Sequence, residues 1–324
     1  MDLLFVIDPV DHIKTTKDSS FAMMREAARR GHAIWACETP QLHWQSGQRV
    51  MARGAQRLQL SQAALASHYG SKLDDWCTPA ETRDLALADT GAVLMRKDPP
   101  FDAEFIYATH LLSQAEREGA RVFNKPSALR EHPEKLALLE FPQFTAPTLV
   151  SRDPQALRAF HAGQGDVIFK PLDGMGGMGI FRVRADGLNL GSILEQLTHY
   201  GSQTIMAQRY LPEIVDGDKR VLLIDGVPVS HSLARIPQGN EVRGNLAAGG
   251  KGVAMPLTAR ERAVAEALGP LLAARGLLLV GLDLIGGYLT EINVTSPTCF
   301  QEISAQAGLD VAAQFIVALE RRLC

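Results

Sequence analysis

The sequence predicts an α/β domain on a parallel sheet, followed by an α+β domain on antiparallel sheets that carries a mobile glycine-rich lid. Three observations lead there. Up to about residue 123, short apolar runs alternate with helical patterns, the grammar of a parallel sheet covered by helices. Beyond that point the runs come in pairs joined by Asp225-Gly226 and Gly286-Gly287, the residue types of two-residue hairpin turns. A length of 324 residues suits roughly two domains of about 150 residues each.

Leu3–Ile7 is an apolar run stopped by Asp8-Pro9 and reads as a buried strand. Asp18-Ser19-Ser20 offers N-caps for a helix with Phe21, Met24 and Ala28 on one face. Arg29 and Arg30 suit its C-terminal dipole, and Gly31 its C′ position. Ala33–Cys37 completes a β-α-β unit. Residues 45–85 carry little periodic signal. Ala92–Met95 is another buried strand, followed by the charged segment Arg96–Asp102. A helix from Glu104 to Glu118 stops at Gly119, and Arg121–Phe123 is a short strand. The first boundary is expected at Asn124-Lys125-Pro126, dividing the chain into 1–123 and 124–324, the latter into parts of about 124–210 and 211–324.

In the second unit, Asp166–Lys170 and Ile180–Arg184 are strands flanking a glycine-rich turn. Thr204–Tyr210, Val221–Ile224 and Val227–Ala234 are strands too. Ile236–Gly252 reads as a long loop. Thr258 and Glu261 spell a capping box for a helix running to Gly276. Leu277–Ile285 and Tyr288–Val294 form a last hairpin before a C-terminal helix.

Composition narrows the function. With 46% hydrophobic and 21% charged residues the chain is neither disordered nor fibrous. A formal charge of -3 offers no basic field to nucleic acid, so any bound anion is held by local groups. The four cysteines (Cys37, Cys77, Cys299, Cys324) have no CxxC or zinc spacing and point to a reducing compartment. The Leu3–Ile7 run is too short and too acid-flanked for a signal peptide, and no apolar run approaches about 18 residues. The expectation is a soluble cytoplasmic protein with no membrane span.

Gly174-Met175-Gly176-Gly177-Met178-Gly179 matches GxGxxG, but Ile180–Arg184 alternates like a strand where a dinucleotide site needs a helix. A glycine loop between strands instead resembles a flap over nucleotide phosphates, with Lys170 upstream as a point charge. The plain alternative is a flexible hairpin. Gly244–Gly252 misses a P-loop, because Gly250 holds the Lys position and Gly252 the Ser/Thr position. It reads as part of a lid carrying Arg235, Arg243 and Lys251. Asp283, Glu291 and Asn293 are oxygen donors suited to Mg²⁺, set in apolar strands. Glu291 and Asn293 share a face by the strand period of two. A regular two-residue turn at Gly286-Gly287 would set Asp283 opposite Thr290, on the wrong face; convergence with Glu291 requires an odd loop or a bulge. Arg220 opens a strand and either stabilises developing anionic charge or pairs with neighbouring acids.

The order of these parts — phosphate lysine, glycine hairpin, arginine-opened strand, lid, Asp…Glu-x-Asn hairpin — resembles the ATP-grasp superfamily. Over nearly the full length the chain resembles the prokaryotic glutathione synthetase family. The carrying segments are Lys17–Phe21, Met95–Asp102, Phe105–Thr109, Asn124–Pro126, Lys170–Gly177, Asp216–Val221, Ala234–Gly250 and Leu289–Thr298. The resemblance implies ATP-dependent ligation of γ-glutamylcysteine to glycine through an acyl phosphate, with ATP as co-substrate and Mg²⁺, or Mn²⁺ in its place, on Asp283, Glu291 and Asn293. It implies nucleotide contacts from Lys135, Lys170, Gly174, Met175, Gly176 and Gly177, and catalytic roles for Arg220 and Arg235. Substrate contacts would come from Arg243, Thr295, Ser296 and Pro297. A homo-oligomer is also implied, a tetramer being one form. Asn240 stands where many relatives carry Gly. The competing expectations are another ATP-grasp carboxylate–amine ligase, or a nucleotide-binding sensor without catalysis. A sensor can lose a metal ligand or the oxyanion arginine; all are present here.

Overall fold

The computed structural model describes residues 1–239, 241, 243–246 and 249–324, so Asn240 and part of the expected lid lie outside the described residues. The N-terminal elements are β1 (Asp2–Val6), α1 (Ser19–Arg29), β2 (Ala33–Cys37), β3 (Leu42–His43), β4 (Met51–Leu60), α2 (Gln62–Ala66), β5 (Cys77–Ala86), β6 (Ala92–Met95), α3 (Ala103–Arg117), β7 (Val122–Phe123) and α4 (Pro126–Glu131). The helix starts follow from their caps: Asp18 accepts from the Phe21 N–H and Asp102 from the Phe105 N–H, both at 2.9 Å. The sheet order is β3-β4-β2-β1-β6-β7, with β5 paired to β4. Its centre, β2-β1-β6-β7, is parallel as expected. The weakly patterned stretch 45–85 proves to be a long antiparallel arm, β4 and β5, whose outer strand faces solvent and so carries no apolar alternation.

Next come β8 (Thr148–Ser151), α5 (Pro154–Gln164), β9 (Val167–Pro171), β10 (Phe181–Val183), α6 (Leu190–Thr198) and β11 (Ile205–Arg209), with sheet order β10-β9-β11-β8. The last part holds β12 (Asp218–Ile224), β13 (Val227–Ile236), β14 (Lys251–Pro256), α7 (Ala259–Ala274), β15 (Leu279–Ile285), β16 (Tyr288–Asn293), α8 (Phe300–Ala307) and α9 (Val311–Leu323). Its sheet runs β14-β13-β12-β15-β16, antiparallel throughout. The Thr258–Glu261 capping box opens α7 as its spacing demands. Two expectations change. The segment read as loop ends in strand β14 from Lys251, and the C-terminal helix is two helices broken at Gly308, whose φ of 67° ends α8.

Hydrophobic packing does not respect the boundary at residue 124. Leu3, Phe5 and Phe21 share one core with Leu222, Phe300 and Phe315. Asn124 stitches the junction: its Nδ2 donates to the carbonyls of Leu279 and Val294 at 2.7 and 2.8 Å, and its Oδ1 accepts the Leu279 N–H at 2.9 Å. Among the described residues no single helix is long and apolar enough to cross a membrane; α8 and α9 reach that length only as a pair bent by 120°.

Candidate active site

A cavity of about 460 Å³ opens where the three sheets meet. Its wall comes from every part of the chain: Lys14, Lys17 and Asp18 before and at the cap of α1, Lys135, Lys170 on β9, Gly174–Met178, Gln208–Leu211 at the end of β11, and Glu291 and Asn293 on β16.

Strand periodicity collects the charges. Asp218 and Arg220 lie two apart on β12, so they share a face. Register then sets Arg235 opposite Asp218, and Asp283 opposite Arg220. Asp283 in turn faces Glu291. The Gly286-Gly287 turn is a two-residue one, with φ of 57° and 78°, and the ladder shifts register between Asp283 and Leu284. Thr290 is the extra residue, so the hairpin carries the bulge that convergence of Asp283 with Glu291 requires.

Within this face Arg220 grips Asp283 through two bonds, Nε–Oδ1 at 2.5 Å and Nη2–Oδ2 at 2.9 Å. Arg235 Nη2 reaches Asp283 at 2.9 Å and Asp218 at 2.6 Å. Burial would lift the Asp283 carboxyl, but the two guanidinium groups win and hold it well below the usual carboxylate range. Asp283 is only 2% exposed and lies behind the arginines, not on the cavity wall. Burial pushes Asp218 up to about 6, with the Asp283 charge adding to the rise and Arg235 opposing it. Among the described residues its Oδ1 is buried without a partner.

Lys135 Nζ donates to Glu291 Oε1 at 2.9 Å and to the Gly174 carbonyl at 2.6 Å. Burial would lower its pKa; the Glu291 carboxylate overrides this and raises it. Lys170 differs. Among the described residues its Nζ hydrogen-bonds only the Thr290 carbonyl, at 3.3 Å, and burial pulls its pKa down to about 8 despite Glu291. It is a cation poised for an anion. The glycine loop folds over the same space. Gly177 has φ of 83°, and a Cβ there would meet Asn245 Oδ1 at 2.8 Å. Arg243 donates to the Gly177 carbonyl at 3.2 Å and pairs with Glu241, so the far segment already rests on the loop.

Thr295, Ser296 and Pro297 line the cavity, yet their polar atoms face protein. Thr295 Oγ1 donates to Glu134 at 2.9 Å, Ser296 Oγ to Asp98 at 2.5 Å, and the Pro297 carbonyl accepts from Arg96 at 3.0 Å. Arg96 also reaches Ser20 at 3.1 Å, making it a tie between the two ends of the chain.

Among the described residues no three His, Cys, Asp or Glu side chains cluster at metal-holding distance. The expected donor set of two carboxylates and one amide, Asp283, Glu291 and Asn293, is all oxygen and therefore suits a hard divalent cation. Cations of the chain occupy both carboxylates: Arg220 and Arg235 at Asp283, Lys135 at Glu291. Asn293 Nδ2 donates weakly to the Gly281 carbonyl at 3.2 Å, and among the described residues its oxygen takes no hydrogen bond. Sequence reasoning passed over Glu134, Asp218 and Asp98. The signals were present: Glu134 adjoins Lys135, and Asp218 sits two residues before Arg220 on one strand face.

The model for prokaryotic glutathione synthetase, N-terminal domain, matches residues 1–130, and that for prokaryotic glutathione synthetase, ATP-grasp domain, matches residues 134–308. A glutathione synthetase of Ralstonia nicotianae is 59% identical over 321 residues, covering 99% of this chain and 96% of that protein. One of Bordetella parapertussis is 55% identical over 320 residues, covering 99% of each. Among solved structures, D-cycloserine synthetase aligns with a TM-score of 0.65 at 19% identity, covering 99% of this chain and 100% of that one. An ATP-grasp ligase bound to a minimal precursor aligns at 0.63 and 19%, covering 99% and 98%. At such identity these two speak for the fold alone.

Proposed function

Because the chain belongs to the prokaryotic glutathione synthetase family of ATP-dependent ligases, we propose that it joins γ-glutamylcysteine to glycine, converting ATP to ADP and phosphate. The observation that carries this reading is a single cavity that brings Lys170, poised for an anion, and Lys135 together with a glycine loop and a buried arginine pair.

A carboxylate is a poor acyl donor, so the reaction needs a better leaving group. The cysteinyl carboxylate attacks the γ-phosphorus of ATP; the bond to the β-γ bridging oxygen breaks, leaving ADP and an acyl phosphate. The amine of glycine then attacks the acyl carbon, and phosphate departs from the tetrahedral intermediate with the new amide formed. Such transfer asks for alignment and charge neutralisation, not for a protein nucleophile. Lys135 and Lys170 bind the nucleotide phosphates, with Gly174, Met175, Gly176 and Gly177 covering them through backbone groups. Arg220 and Arg235 face the anionic charge that develops on phosphoryl and tetrahedral oxygens. Glu291 and Asn293, which line the cavity, would hold the divalent cation, Mg²⁺ first and Mn²⁺ as its substitute, which would supply further neutralisation at the phosphates, whereas Asp283, expected in that set, is off the cavity wall and holds Arg220 and Arg235 instead. Arg243 and the segment around it exclude water that would hydrolyse the acyl phosphate. Thr295, Ser296 and Pro297 border the substrate, and residues 1–123 contribute Lys14 and Lys17 as partners for substrate carboxylates.

The test is phosphate release from ATP and Mg²⁺ with γ-glutamylcysteine, with and without glycine, with mass detection of the product. Glycine-dependent release and a glutathione mass bear the reading out. Binding of ATP without release for this pair would redirect it to another carboxylate–amine ligase.

A further inference from the structure

We infer that Glu134 is a positioning residue that locks the nucleotide-lysine segment onto the strand carrying Glu291 and Asn293, and so sets the geometry in which nucleotide and metal are held together. The inference rests on the nucleotide reading above.

No motif marks Glu134; its contacts do. The Oε1 oxygen of Glu134 accepts three hydrogen bonds, from the Val294 N–H at 3.0 Å, the Thr295 N–H at 3.2 Å and the Thr295 hydroxyl at 2.9 Å. Its backbone carbonyl accepts a fourth, from the Ile292 N–H at 3.0 Å. β16 is the edge of its sheet, so this carbonyl gives Ile292 a partner where no further strand is available. The next residue, Lys135, bonds Glu291 and Gly174. Two consecutive residues thus hold positions 291, 292, 294 and 295, together with the glycine loop.

The geometry is a clamp around Asn293. A carboxylate oxygen that takes two N–H groups and a hydroxyl fixes the backbone leaving β16 more tightly than a neutral acceptor does. Burial, with the nearby Glu291 charge adding to it, leaves the Glu134 carboxyl raised although the Thr295 donors and Lys135 oppose the rise. If the clamp slackens, the oxygens of Glu291 and Asn293 drift relative to Lys135, and misplacement near 1 Å costs about a hundredfold in rate.

The experiment compares wild type, Glu134→Gln, Thr295→Val and Thr295→Ser. ADP affinity is measured by calorimetry with and without Mg²⁺, well below each melting temperature, alongside kcat and KM for ATP. The clamp predicts that Glu134→Gln loses at least fivefold in the Mg²⁺ enhancement of ADP binding and between tenfold and about a hundredfold in kcat. Metal-free ADP affinity should change less than twofold. Thr295→Val should show a smaller loss of the same kind, and Thr295→Ser, which keeps the hydroxyl, a loss smaller still than that of Thr295→Val. Should Glu134→Gln fail to fold, Thr295→Val carries the test. Variants that melt earlier but keep both the Mg²⁺ enhancement and kcat within twofold overturn the inference, since a purely structural brace acts in that way. Wild type that binds no ADP overturns the nucleotide reading and the inference with it.

Discussion

At the scale of single residues, Lys170 shows how the site is charged in advance. Its ammonium is buried against one carbonyl, and its pKa falls to about 8 because burial penalises the charged form. Phosphate oxygens favour that form. At pH 8.5, ADP binding should therefore draw a proton onto the protein, visible as a buffer-dependent binding enthalpy, and Lys170→Arg should abolish the uptake because arginine keeps its charge. The sign for stability follows from linkage. Between pH 8 and about 10.4 the unfolded lysine holds more proton than the folded one, so this residue's contribution to stability rises with pH across that window. At pH 7 the penalty is in full force. Lys170→Met should therefore melt several degrees higher without nucleotide while losing ATP binding; an unchanged melting temperature would refute the account. Asn293 is the converse case. Its one side-chain hydrogen bond among the described residues is long, so Asn293→Ala should cost only about 1 kcal/mol of stability while metal-dependent turnover collapses. Proportionate loss of both would remove Asn293 from the metal set.

At the scale of elements, hairpins decide which side chains meet. Asp225 and Gly226 have φ of 50° and 79°, the left-handed pair that a two-residue turn of this type needs, and they were legible in the sequence for that reason. The bulge at Thr290 was legible only as a requirement: spacing demanded it, but nothing local announced where it would fall. Helix α7 gives a test of tertiary over local preference. Alanine is the better helix former by about 1 kcal/mol, yet a Cβ at Gly269 would lie 2.1 Å from the Gly226 carbonyl oxygen. Gly269→Ala should thus destabilise, by more than the propensity gain, in a denaturant titration; a stabilised variant would mean that the helix can slide away from the hairpin at no cost. The arm β4–β5 was missed because its outer face meets water, and β14 because its glycine-rich approach hid a strand that pairs with β13.

Across the whole molecule, the core and the site are both shared between the ends of the chain. Phe21 and Phe315 belong to one cluster, Arg96 ties Ser20 to Pro297, and Asn124 sits in the seam with three hydrogen bonds. Residues 1–123 expressed alone should expose the apolar surface that Phe300 and Phe315 cover, and so bind a hydrophobic dye and aggregate, whereas the full chain should melt in one transition. A soluble, cooperatively folding fragment would contradict the shared core.

What the sequence determined by itself is whatever acts over a few residues: the helix caps at Asp18, Asp102 and Thr258, the turn pairs, the alternation that puts Glu291 and Asn293 on one face, and the order of motifs that marks the family. Tertiary structure alone decided the rest. It paired Arg220 with Asp283 and Lys135 with Glu291, turned the hydroxyls of Thr295 and Ser296 toward protein, and brought Glu134 against the end of β16. The physical reason is separation. These contacts join residues 63 to 198 positions apart, and hydrogen-bond partners at that distance are chosen by sheet register and burial, neither of which leaves a pattern in the local sequence.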